Sequence, residues 1–221
     1  FMFIILFVVF SSVSGQVGNL TSRQYAVYLL SGLVIFTFFN EGITWGMGSI
    51  MERADLILKI NFKRDIVVIS ALTMALINFG INLMIVGVVG LVLGIQFSLA
   101  SVSYILLIGL VMFLGLYGIS FFTSIWMVYV RDLAHITELG LQLMFYASAV
   151  FFPVEMIPEK YRFIVEHNPI AIYIQSVREA LTYQNIVNLK FVIGSLIVSV
   201  LLIIVGNIYF KHSVKRVAEH F

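Results

Sequence analysis

Residues 51–65, Met-Glu-Arg-Ala-Asp-Leu-Ile-Leu-Lys-Ile-Asn-Phe-Lys-Arg-Asp, form a charged island between two apolar walls, 25–50 and 66–95. The island carries seven of the chain's 24 Lys, Arg, Asp and Glu residues. About 20 apolar residues, at ~1.5 Å rise, cross a ~30 Å hydrocarbon core as a helix. The island is therefore a turn between two membrane helices, and the side it faces sets the topology. Composition leaves no other class: 11% of the 221 residues are charged, against about 25% in a soluble domain. The apolar runs are continuous rather than alternating, which argues against a membrane β-barrel. With no cysteine, disulfide, haem-thiolate and thiolate-zinc chemistry are excluded.

The expected fold is all-α and integral to the membrane: a six-span helical bundle, its first span truncated, in one domain over 1–221. The run 1–10 is too short to span and reads as the outer end of that first span. Residues 11–23 form a loop. Span two, 25–50, has a polar face of Thr37, Asn40, Glu41, Thr44 and Gly48. An aromatic face carries Tyr25, Tyr28, Gly32, Phe36 and Phe39, and Gly42-x-x-x-Gly46 adds a small-residue seam. Span three, 66–95, has Asn78 and Asn82 on one face, placed to bind neighbouring helices. A turn is expected over 96–103, span four over 104–130, and a second charged island over 131–138. The fifth run, 139–152, is short and broken by Pro153 and Glu155.

Segment 155–190 is the least membrane-like. Asn168-Pro169 is a helix start, with Asn at the N-cap and Pro at the first helical position. Ile170, Ile174, Val177 and Leu181 then make an apolar stripe with Arg178 at its edge. This predicts an amphipathic helix that lies at the interface or re-enters against protein. Span six is 191–210, followed by a basic tail, 211–221.

Orientation follows from Lys and Arg. With 51–65 cytoplasmic, alternation puts Arg53, Lys59, Lys63, Arg64, Arg131, Lys211, Lys215 and Arg216 inside. Arg23, Lys160, Arg162, Arg178 and Lys190 lie outside, so the count favours this orientation. No G-x-x-x-x-G-K-[ST], H-E-x-x-H or G-x-S-x-G motif occurs. The four histidines lie in loops or tails, so no catalytic or metal site is expected. Glu41 is the one acid expected within the membrane, which costs ~3 kcal/mol at the bilayer centre and turns such a group inward. It can serve as a structural hydrogen-bond partner or line a path, a pattern that favours passage or scaffolding over catalysis.

The order of these features resembles the permease subunit of type-2 ATP-binding-cassette exporters, nearest the branch that exports O-antigen, capsule and teichoic acid. The resemblance rests on Tyr28-Leu29-Leu30-Ser31-Gly32-Leu33 at the opening of span two and on the loop 56–65. It rests further on Arg131-Asp132-Leu133 and Phe152-Pro153-Val154 around span five. Its most specific part is Ile157-Pro158-Glu159-Lys160-Tyr161-Arg162, with Asn168-Pro169 and Arg178 in the outer segment. Lys63 stands where the family commonly has proline.

The resemblance implies two permease copies, each with a separate ATPase subunit that holds ATP and Mg; this chain would carry no cofactor. It implies that the loop after span two is a coupling element, formed by Asp55, Ile57, Leu58, Lys59, Lys63 and Arg64. Asp55 and Lys59 are an i, i+4 pair that would support a short helix there; the plain alternative is a solvated loop facing anionic lipid. The implied cargo is a lipid-linked polysaccharide, with Tyr25, Tyr28, Phe36, Phe39 and Glu41 as conduit candidates. Membrane lipid is a further partner and nucleic acid is not. A drug or lipid exporter permease, and an ATP-independent channel or membrane enzyme, are the competing readings.

Overall fold

The computed structural model describes residues 22–54, 63–130, 132–151 and 157–217. Among them seven α-helices occur and no strand: α1 (Ser22–Glu52), α2 (Asp65–Val92), α3 (Leu99–Tyr129), α4 (Leu133–Ala147), α5 (Glu159–Glu166), α6 (Pro169–Thr182) and α7 (Leu189–Val217). Helices dominate because lipid offers the backbone no hydrogen bonds, so even Val- and Ile-rich runs coil to satisfy themselves. Four helices are long and apolar enough to cross a membrane: Tyr25–Glu52, Asp65–Val92, Leu99–Tyr129 and Leu189–Val214. They correspond to the expected spans two, three, four and six. The expected first span, the Pro153 break and most of the 51–65 island lie outside the described residues.

Several boundaries differ from the sequence expectation, each for a local reason. The turn after α2 is shorter than 96–103. Gly94 takes a left-handed φ of 79°, open to glycine because it has no Cβ. Ser98 Oγ then accepts from the Ala100 N–H at 3.2 Å, an N-cap that starts α3 at Leu99. The 131–138 island is not a free loop, since α4 starts at Leu133. α4 also ends at Ala147, well before Pro153. Its 15 residues reach only about 22 Å, short of a ~30 Å core.

The residues cluster into two compact units. Among the described residues the first takes those of 22–37, 79–108 and 144–189, and the second those of 38–78, 109–143 and 190–217. In the first, Tyr25 and Leu29 are fully buried with Tyr28 and Phe151 packed on them. Ala149, Val165 and Ala171 pack together nearby with Ile157. In the second, Phe121 and Phe210 are buried with ring centroids 5.1 Å apart. Outward faces are apolar: Met84, Val88 and Leu91 on α2 and Ile197, Leu201 and Ile208 on α7 are exposed. Such stripes are a liability in water and the natural surface of a protein whose solvent is lipid.

Candidate functional site

Arg178 is the centre of the first unit. It is buried at 6% exposure, not set at the edge of a stripe. Its Nε donates to the Tyr28 carbonyl at 3.2 Å. Nη1 donates to the Tyr28 hydroxyl at 3.0 Å and to the Ala149 carbonyl at 3.1 Å. Nη2 donates to the Val150 carbonyl at 2.5 Å. The guanidinium also lies over the Tyr28 ring, 3.8 Å from its centroid, a cation–π contact strengthened by exclusion of water. A lysine could not make this arrangement, because it lacks the planar fork. Gly32, one turn beyond Tyr28, leaves the room: a Cβ there would come 2.6 Å from Nη2 and 3.2 Å from the Val150 oxygen.

The cluster explains why α4 stops early. Ser148, Ala149 and Val150 are buried, and buried unwound backbone survives only where its polar groups find partners. Asn168 Nδ2 donates to the Ala147 carbonyl at 3.2 Å and to Ser148 Oγ at 2.9 Å. Arg178 takes the carbonyls of Ala149 and Val150. The Tyr25 hydroxyl donates to the Phe151 carbonyl at 3.1 Å. Ala149 holds a left-handed φ of 48°, an unfavourable state for alanine that its surroundings must enforce. Asn168 does double duty, since its Oδ1 accepts from the Ile170 N–H at 2.9 Å and caps α6, with Pro169 at the first turn. The Ile170, Ile174, Val177 and Leu181 stripe is buried, and so are Tyr173, Ser176 and Ala180. α6 is therefore seated in protein rather than lying on a surface.

The second unit holds the remaining polar candidates. Asn78 Nδ2 on α2 donates to Glu41 Oε2 on α1 at 3.4 Å, and Thr44 Oγ1 donates to Asn40 Oδ1 at 3.3 Å. The small-residue seam is a packing seam: a Cβ at Gly42 would meet Leu116 at 2.5 Å, and one at Gly46 would collide with Ser120. Of the coupling candidates, Asp55, Ile57, Leu58 and Lys59 lie outside the described residues. Lys63 is exposed. Arg64 Nη1 donates to the Val214 carbonyl of α7, and Arg53 Nη1 donates to the Val67 carbonyl at 3.3 Å.

Among the conduit candidates, Tyr25 and Phe36 are buried within the chain. Tyr25 stacks on Tyr28 at 6.1 Å, and Phe36 meets the edge of Phe145 at 4.8 Å. Phe39 and Glu41 are half-buried. The structure thus brings Tyr25, Tyr28, Asn168 and Arg178 into one cluster. Ser148 and Ala149 belong to it too, although the sequence offered them no role there, and so does Gly32, which the sequence set on one face with Tyr25 and Tyr28. A trace was visible in Tyr28 and Gly32, which sit one turn apart as a ring and a gap on one face of α1.

A short helix whose freed carbonyls are held by a neighbouring helix, beside four helices long and apolar enough to cross a membrane, is the kind of construction transporters use; the chain is a multi-pass integral membrane protein of that class. It belongs to the ABC-2 type transporter family, whose profile matches residues 1–182. Two proteins named O-antigen export system permease protein RfbA, from Klebsiella pneumoniae, are each 30% identical to it over 89% of this chain and 75% of their own length. A Myxococcus xanthus protein of the same name is 25% identical over 62% of this chain and 52% of its own.

Proposed function

We propose that this chain is the transmembrane subunit of an ATP-driven exporter that moves lipid-linked polysaccharide across the cytoplasmic membrane. The observation that carries the reading is the 30% identity, over 89% of the chain, to permeases named for O-antigen export. In this reading ATP and Mg belong to a separate subunit, the usual arrangement for an ABC-2 permease, and residues 1–221 carry no P-loop of their own. Two copies of a single permease domain over 1–221, each with six spans, form the path.

The test is reconstitution with the copurifying ATPase in liposomes. Lipid-linked glycan is expected to raise ATP turnover several-fold. Stimulation by drugs or free lipids alone would select the drug or lipid exporter instead. Absence of any copurifying ATPase would select an ATP-independent channel or enzyme.

The loop at 51–65 is the docking element in this reading. Charge reversal of Lys59 and Lys63 is expected to weaken ATPase capture in a pull-down about tenfold, as rim charges at an interface do in combination. Arg64→Glu would weaken capture as well, but through loss of its bond to Val214, so it should also lower thermal stability. Capture unchanged by reversal of Lys59 and Lys63 would move the docking surface elsewhere.

A further inference from the structure

The first unit contains a second feature, built from other residues than the carbonyl cluster. A half-open cavity of about 310 Å³ lies between α2, α3 and α6, lined by Gly80, Gly87, Phe97, Ile105, Leu106 and Leu181 among others. Every side chain on its wall is apolar. An ordered water needs two to four polar partners, and apolar cavities of about 150 Å³ already stay dry and admit a benzene-sized guest. Water therefore does not fill this one. Left empty, it would forfeit dispersion contacts on all its walls. Its mouth borders Met84 and Leu106, both exposed on membrane-spanning helices. The medium against that mouth is hydrocarbon.

The glycines make the cavity. A Cβ built on Gly80 or on Gly87 meets nothing within 4 Å, so both face open space. Gly90, three residues further on, is the opposite case: its Cβ would collide with the Phe97 ring, which lies against it. Phe97 thus folds back over α2 to wall one end, held there by the Gly94 turn. The far wall is Leu181, one helical turn along α6 from Arg178.

We propose that this cavity is a binding site for one acyl chain of a membrane phospholipid, which braces α6 from the bilayer side. The chain supplies the packing that the two glycines leave out, and its contact with Leu181 supports the helix that carries the Arg178 cluster.

The test uses the full chain with its copurifying partners, in vesicles of phosphatidylethanolamine and phosphatidylglycerol doped with phospholipid bearing a diazirine on one acyl chain. Peptide mass spectrometry reads labelling at Met84, Leu106 and Leu181 against Leu201 and Ile208, exposed residues of α7. Labelling at the cavity is expected to exceed that reference and to saturate with probe. Gly87→Leu, which fills the space, is expected to lower it about tenfold while the reference stays unchanged. Gly80→Leu fills a different part of the cavity and is the second variant. Both should keep a monodisperse, folded protein, because neither added side chain meets an obstacle at Cβ.

Cavity labelling equal to the α7 reference would overturn the proposal, and so would labelling that persists in both folded variants. Cavity residues that stay unlabelled because a second copy of the chain covers them would also overturn it. Labelling by a polyprenyl probe but not by phospholipid would assign the site to the cargo's lipid and reject the membrane acyl chain.

Discussion

Replacing Arg178 with methionine is expected to cost about 3–5 kcal/mol of stability, because it strands buried acceptors and removes a buried cation–π contact. The size follows from what is stranded. The Ala149 and Val150 carbonyls lose their donors, each at a cost of ~1–3 kcal/mol when buried. Neither can fall back on helix bonding, because Ala149 sits at φ 48°. Methionine keeps much of the volume, so the loss reads the hydrogen bonds and the stack rather than a cavity. Arg178→Lys should recover less than half, since one ammonium cannot reach both carbonyls and the Tyr28 carbonyl while lying flat on a ring. Tyr28→Phe removes one hydrogen bond and keeps the ring, for about 1 kcal/mol. In the Arg178→Met background it should cost almost nothing, the coupling expected of direct partners. Denaturant titration in mixed micelles measures all four variants. A loss within about 1 kcal/mol for Arg178→Met would show that water replaces the guanidinium, and that the segment is wetter than the cluster implies.

What the sequence disclosed and what it hid divide along sequence distance. Asn168-Pro169 was readable because a cap and its helix are neighbours, and the structure has Asn168 on the Ile170 N–H. Gly42-x-x-x-Gly46 was readable because an i, i+4 spacing fixes a face, and that face packs on Leu116 and Ser120. Membership in the membrane class was readable from charge scarcity alone. The early end of α4 was not. Pro153 and Glu155 suggested a break, but the carbonyls of Ala147, Ala149 and Val150 are taken by Asn168 and Arg178, side chains 21 to 29 residues away. Arg178 also reaches Tyr28 across 150 residues. Periodicity put it beside an apolar stripe and could not show that unwound backbone waited there for donors. Glu41 stood between two readings for the same reason, and the amide it meets, Asn78, was recognised only as a generic helix binder. Two small residues, one on α3 and one on α7, were passed over altogether.

Those residues, Gly118 and Gly206, carry the second large effect. A Cβ on Gly206 would lie 2.8 Å from the Gly118 carbonyl oxygen. A Cβ on Gly118 would lie 2.7 Å from Leu202 Cβ and 2.9 Å from the Ile203 nitrogen. These obstacles are backbone or rooted in it, so α3 and α7 must part to admit a side chain. Close backbone approach of this kind is how helices adhere in lipid, where apolar surface gives no net drive to associate. Gly118→Val is therefore expected to cost about 3 kcal/mol, at the upper end of overpacking penalties. Gly115→Ala is the graded control: its Cβ would meet Ser199 Oγ at 3.1 Å, a hydroxyl that can rotate away, for under ~1 kcal/mol. Gly194→Ala, whose Cβ meets nothing within 4 Å, should be neutral or gain up to ~1 kcal/mol from helix propensity. Gly118→Ala combined with Gly206→Ala should cost less than the two separately, because the first already separates the helices. The effect should reach function through α7, whose Val214 carbonyl receives Arg64 from the end of the 51–65 island. If that island docks the ATPase, loosening α7 leaves it without its anchor. Gly118→Val is then expected to weaken ATPase capture, as Arg64→Glu does through the same bond, and to leave ATP turnover unresponsive to glycan. A Gly118→Ala variant as mild as Gly115→Ala would refute the tight contact, and normal coupling in a destabilised Gly118→Val would confine the contact to holding the fold.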